Sequence, residues 1–230
     1  MQEIIGIICA TKSERDAILK RYKKIKIEKI YDMTFYIFKI KNVDVVMVQS
    51  GVGKINATRA TQVLIDKYNA SFVINYGTVG SINRCAKESD IVIATACVQA
   101  DADCTAFGVE KGKFNNEDEL YIKVDEKIIY KVKDKLKDVR KRVLYGKVAT
   151  LDQFVVDYNE NKCLRDAFDA ICTDMESVAT AIVCKSCNIP FLIIKSISNS
   201  YDDEDLIKHY EETKDEVSNS IVEVIRKIIN

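Results

Sequence analysis

Two carboxylates and an amide carry the chemistry that this sequence offers. Glu14 follows a short apolar run, Glu176 follows another, and Ser198-Asn199 ends a third. Between them stand Thr78, inside the turn Gly77-Thr-Val-Gly80, and Asp152 and Phe154 just beyond a run that ends near Thr150. If those runs are strands of one open α/β sheet, all of these residues fall at carboxyl ends, where such sheets gather their ligands. The cleft then holds two carboxylates, an aromatic ring, a glycine-flanked hydroxyl and an amide. Paired carboxylates suit general acid–base work and the stabilisation of developing positive charge. Neither a cationic cluster nor a plausible metal set accompanies them, so neither a metal nor a cofactor is expected. The one histidine, His209, is too little for a multi-His metal site and would have to anchor any Ser-His-Asp triad alone.

The elements that must position these groups are legible as alternating strands and helices. Ile4 to Ala10 reads as a buried parallel-type strand. Thr11-Lys-Ser-Glu14 follows as a capping box, Thr at the N-cap and Glu three residues on, so a helix is expected to about Tyr22. Met33 to Lys41 and Val43 to Gln49 alternate like a hairpin turning near Lys41-Asn42. Ser50-Gly-Val-Gly53 is a turn, and Lys54 to Tyr68 has helical spacing of its apolar residues. Phe72 to Tyr76 is a strand expected to stop at Gly77. Further strands are expected at 91–98, 142–150, 170–174 and 191–198, and helices at 125–137, 161–168, 176–187 and about 205–229. Residues 108 to 120 look like an exposed polar excursion. This order argues a three-layer α/β/α sandwich around a mixed, mostly parallel sheet, one domain over residues 1–230. The turn after the first strand reads Gly6-Ile-Ile-Cys-Ala-Thr11, which does not fit a dinucleotide-binding G-x-G-x-x-G.

Composition narrows the class. Among the 230 residues, Lys+Arg and Asp+Glu both total 35, so the counterion release that drives nucleic-acid binding has no basic surplus behind it. No apolar stretch reaches the roughly 18 residues of a membrane span. The amino end shows no basic region followed by a cleavage site. A cytoplasmic protein with reduced thiols is therefore expected, and its eight cysteines lie mostly in apolar runs. Only Cys184-Lys-Ser-Cys187 has redox-like or metal-like spacing, and without a second pair it reads as two helix-end thiols, one facing the core.

Five segments in order resemble the 5'-methylthioadenosine/S-adenosylhomocysteine nucleosidases of the purine and uridine phosphorylase superfamily: Ser50-Gly-Val-Gly-Lys54, Asn75-Tyr-Gly-Thr-Val-Gly80, Asp101-Ala-Asp-Cys-Thr-Ala-Phe-Gly108, Asp174-Met-Glu176 and Ser196-Ile-Ser-Asn199. The resemblance spans essentially the whole chain. It implies hydrolysis of the N-glycosidic bond of an adenine thionucleoside, Glu14 holding and deprotonating the attacking water and Glu176 clamping the ribose hydroxyls. It implies that Asp174 and Met175 border the ribose and that Phe154 stacks on the purine. The Val155 backbone would read the adenine edge, while Thr78, Val79, Gly80 and Ser198 line the floor. Val52 would meet the 5'-alkylthio group, and a homodimer is implied in which Cys104 and Phe107 of a second subunit complete that pocket. Read without the resemblance, Glu14 is a capping glutamate, Glu176 a charge at a helix N-terminus, and Phe154 and Met175 core residues.

Asn199 departs from the family, which places an Asp there to protonate N7 of the leaving purine. An amide gives up no proton at useful pH, yet its NH2 still donates a hydrogen bond to N7. Three readings stand: a deliberate replacement that traps an intact ligand, a natural branch with another base preference, or a chain that has abandoned catalysis. Asp202 is one helical turn too far to substitute. Phosphorolysis would need an arginine-built anion site, and here Glu14 and Asn75-Tyr76 occupy the corresponding places, with Arg15 the nearest cation. A non-catalytic nucleoside binder is the reading from another class.

Overall fold

The computed structural model describes residues 3–114, 118–200 and 205–229; Asp202 lies outside them. Strand β1 (Ile4–Cys9) is buried from Ile5 onward because parallel neighbours flank it on both sides. These are β4 (Val43–Gln49) and β5 (Phe72–Ser81). β2 (Lys26–Ile30) and β3 (Met33–Ile40) extend the sheet antiparallel beyond β4. On the other side stand β6 (Ile91–Gln99), the short β7 (Ile122–Lys123), β8 (Val143–Thr150), β9 (Ala170–Asp174) and β10 (Phe191–Ser200). The strand order is β10-β6-β8-β9-β5-β1-β4-β3-β2, with β7 on β6 and a further β10–β5 pairing. The β4-β1-β5-β10 and β6-β8-β9 stretches pair parallel, and the antiparallel pairings join or edge them.

Helices cover both faces. α2 (Lys54–Tyr68) and α5 (Ser177–Ser186) pack together on one face, and α1 (Lys12–Leu19) and α3 (Glu126–Leu136) pack on α6 (Leu206–Ile229) on the other. α3 shows why such helices form: Asp125 caps its N-terminus by accepting from the Lys127 amide at 2.7 Å, and Ile129, Val132 and Leu136 bury one stripe. α4 (Tyr158–Phe168) lies over β8 and β9, where Leu164 and Phe168 join Val98, Leu151 and Val155 in a second apolar cluster.

Three differences from expectation stand out, and two of them have a physical cause in strand pairing and exposure. β2 went unread because Lys26-Ile-Glu-Lys-Ile30 is charged and exposed, an edge strand that buries little. α1 ends at Leu19, short of Tyr22. β5 does not stop at Gly77 but continues to Ser81, because β10 supplies a parallel partner along its whole length, Lys195 opposite Gly77 and Ser196 opposite Thr78. No described helix is long and apolar enough to cross a membrane.

Candidate active site

Glu14 is both a cap and a cleft residue. Its amide donates to Thr11 Oγ1 at 3.4 Å, and its Oε2 accepts from the Thr11 amide at 2.9 Å, closing the capping box. The same Oε2 accepts from the Ala10 amide at 2.9 Å, while Oε1 reaches across to the Thr78 amide at 2.9 Å and hydroxyl at 3.3 Å. Tyr76, fully buried, donates its hydroxyl to the Glu14 carbonyl. Five donors thus hold this residue across the ends of β1 and β5. Gly77 makes room for it: a Cβ there would stand 2.6 Å from Oε1.

Glu176 begins α5 but caps nothing. Its Oε1 accepts from the Gly53 amide at 2.9 Å, which ties this carboxylate to the turn before α2. That turn needs glycine, since Gly53 has φ +101°. Capping falls instead to Asp174, whose Oδ2 accepts from the Ser177 amide at 3.0 Å and whose Oδ1 accepts from Thr150 Oγ1 at 2.6 Å. Lys195 reaches the same Oδ2 at 2.8 Å, and both side chains are almost completely buried. Burial, then the Asp174 charge, pushes the Glu176 carboxyl up to about 7, against the pull of Lys195 and the Gly53 amide. Burial opposes the charge on Lys195, but Asp174 and Glu176 outweigh it and hold the ammonium at about 12. Asp174 is held low: burial works against its charge, and Lys195, Ser177 and Thr150 more than offset it.

Asn199 enters through a bulge. The β10–β5 register shifts after Ile197, so that Asn199 lies opposite Gly80 with Ser198 as the extra residue. Ser198 Oγ donates to Asn199 Oδ1 at 2.8 Å, which leaves the amide NH2 beside Gly80; a Cβ on Gly80 would stand 3.3 Å from Nδ2. A side chain at Gly80 would therefore crowd the Asn199 amide.

These groups line one cavity of about 280 Å³. It contains Glu14 and Glu176, Val52, Thr78, Val79, Gly80, Phe154, Val155, Asp174, Met175, Ser198 and Asn199. No lysine or arginine is among its described lining residues. Arg15 instead donates to Gln49 at 2.9 Å and pairs with Asp16 at 2.7 Å. Asp174 borders the cavity with its oxygens turned to Thr150, Ser177 and Lys195 rather than left open. Cys104 and Phe107 sit on and before a single helical turn, outside their own chain's cavity, with Phe107 79% exposed. One contributor, Lys195, was missed in the sequence, whereas the resemblance places His209 and Tyr210 near the far end of the 5' pocket. Tyr210 lines the cavity and meets Phe154 edge-on at 5.7 Å between ring centroids, while its neighbour His209 pairs with Glu88 at 2.9 Å. Lys195 gave no signal because it sits in an otherwise apolar strand. Cys184 is buried and Cys187 half-buried at the end of α5, as the helix-end reading expects, and burial pushes Cys184 up to about 12. Among the described residues no group of His, Cys, Asp and Glu could hold a metal ion.

The family model of the phosphorylase superfamily matches residues 4–230, nearly the whole of this mixed-sheet α/β chain. A 5'-methylthioadenosine/S-adenosylhomocysteine nucleosidase of Buchnera aphidicola is 38% identical, over 86% of this chain and 79% of its own. The aminodeoxyfutalosine nucleosidase of Campylobacter jejuni is 31% identical over 85% of each. In fold, a mutant of the Helicobacter pylori 5'-methylthioadenosine/S-adenosylhomocysteine nucleosidase with 5'-methylthioadenosine in its active site superposes with a TM-score of 0.95 over 100% of this chain and 99% of its own, at 24% identity. The chain belongs to the phosphorylase superfamily, in the branch of N-glycosidic hydrolases that holds the 5'-methylthioadenosine/S-adenosylhomocysteine nucleosidases.

Proposed function

We propose that this chain hydrolyses the N-glycosidic bond of 5'-methylthioadenosine or S-adenosylhomocysteine, releasing adenine and a thioribose product without a cofactor. One observation carries the reading: Glu14 and Glu176, from opposite ends of the sequence, line a single cleft whose described walls carry no cation. A carboxylate where phosphate would sit repels it, and water is then the nucleophile. Glu14 takes a proton from that water as its oxygen bonds to C1'. The bond from C1' to the purine breaks, and its electron pair leaves with the base. Glu176 accepts from the ribose hydroxyls and so favours the positive charge that gathers on the sugar. Asn199 Nδ2 donates to N7, and the base takes its proton from solvent.

Phe154 and Met175 pack on purine and ribose, and the Val155 carbonyl, which accepts from Asn161 at 3.4 Å, has a second lone pair for the adenine amino group. Val52 and Phe107 are 49% and 79% exposed, which suits a homodimer in which Cys104 and Phe107 of a second copy close the 5' end. The likeness to an aminodeoxyfutalosine nucleosidase makes that nucleoside the second substrate to assay. The test is adenine release from 5'-methylthioadenosine. Glu14→Gln and Glu176→Gln are each expected to lower it by about 10² or more; full activity in either variant would reject the assignment.

A further inference from the structure

We infer that Lys195 is a positioning residue for the cleavage reaction: from behind the cleft floor it neutralises Asp174 and so leaves Glu176 free to meet the sugar as a carboxylate. The functional meaning of this rests on the nucleosidase reading above. Lys195 is 1% exposed and enters from β10 opposite Gly77, the glycine that gives the Glu14 carboxylate its room. Its ammonium meets Asp174 at 2.8 Å and acts through space on Glu176 and Glu14. Three carboxylates, two lining the cleft openly and one turned inward, therefore share one cation. A buried ion pair is weak evidence for stability, because apolar residues of similar volume often serve the fold as well. A pair buried at this point, beside two further carboxylates, is better explained by the charge it controls.

The groups that act most on Glu176 come from four places in the fold: Asp174 at the end of β9, Lys195 from β10, Glu14 from α1 and the Gly53 amide from the turn before α2. Asp174 raises the Glu176 carboxyl and Lys195 lowers it. Removing either member of the ion pair breaks the same contact, yet the two removals push Glu176 in opposite directions. A purely structural role for the pair predicts no such opposition.

The test is a carbon-13 NMR titration of protein labelled at the glutamate carboxyl carbons, with the Glu176 signal identified by its loss in Glu176→Gln. Lys195→Met is expected to raise the Glu176 midpoint by about one pH unit or more, and Asp174→Asn to lower it by about one. Lys195→Arg, which keeps the charge, is expected to leave it within about half a unit. The acid limb of kcat/KM should follow the same three shifts. Midpoints that move together, or do not move, in Lys195→Met and Asp174→Asn overturn the inference. If Lys195→Met does not fold, an unmoved midpoint in Asp174→Asn overturns it alone. The titration needs no turnover: opposed shifts in a protein that cleaves no nucleoside would reject the proposed reaction and keep the electrostatic arrangement, while cleavage without opposed shifts would do the reverse.

Discussion

Gly77→Ala tests whether the position of Glu14 sets the rate. Gly77 lies in β5 without a positive φ, so alanine is allowed there by the backbone. The cost is local, because the new Cβ would stand 2.6 Å from Glu14 Oε1 and 3.1 Å from its carboxyl carbon, against an ordinary contact of 3.4 Å or more. Relief requires the carboxylate to retreat by about 0.8 Å. The bond from the Thr78 amide, 2.9 Å in length, would then stretch to about 3.7 Å and be lost. A displacement near 1 Å at a reacting centre costs on the order of 10² in rate. The measurement is kcat for adenine release at saturating 5'-methylthioadenosine, with and without Asn199→Asp, alongside the thermal midpoint. We expect kcat to fall about 100-fold with a KM change of only a few-fold. A folded Gly77→Ala protein whose kcat stays within about threefold of its parent would refute the claim that Glu14 acts from this carboxylate position.

Asn199→Asp places a proton donor where the bulge in β10 delivers the amide, and kcat is expected to rise by about 10² to 10⁴; an unchanged kcat with tight nucleoside binding would mark a binding protein instead. Glu176→Gln bears on stability as well as activity. The carboxyl is raised in the fold from 4.5 to about 7, so the native state holds its proton more tightly than the unfolded chain does. The destabilisation is absent below about pH 4.5, grows as pH rises to 7 and is complete above it, with a ceiling near 3 kcal/mol. Glutamine keeps the acceptor for the Gly53 amide, so the variant should melt higher than its parent at pH 8 and level with it at pH 4; equal melting at both would reject the buried charge.

The site was legible wherever a strand end carries a polar residue out of an apolar run. Glu14, Glu176 and Asn199 stand at such points, Thr78 lies inside β5 beside glycines that read as its end, and the structure brings all four into one cavity. The two roles open to Glu14 are not alternatives, because one carboxylate oxygen closes the capping box while the other reaches Thr78. What was hidden is what strand and helix periodicity cannot encode. Lys195 lies inside an apolar run, and only the neighbouring strand end shows that Asp174 meets it. Tyr210 is one ring on a long amphipathic helix, and its placement against Phe154 depends on how α6 packs across β10. The continuation of β5 through Gly77 depends on a partner strand more than a hundred residues away, so its glycines read as a stop.

Hydrolysis in oxygen-18 water tests the central claim most directly: Glu14 and Glu176 act on one sugar, and water is the nucleophile. The protein, with Asn199→Asp if needed for rate, is incubated with 5'-methylthioadenosine in phosphate-free buffer, and the sugar is analysed by mass spectrometry before its anomeric oxygen exchanges. The account predicts free adenine and a methylthioribose carrying one solvent oxygen at C1, at a rate that added phosphate does not raise. A sugar phosphate, or turnover that appears only when phosphate is supplied, would contradict it.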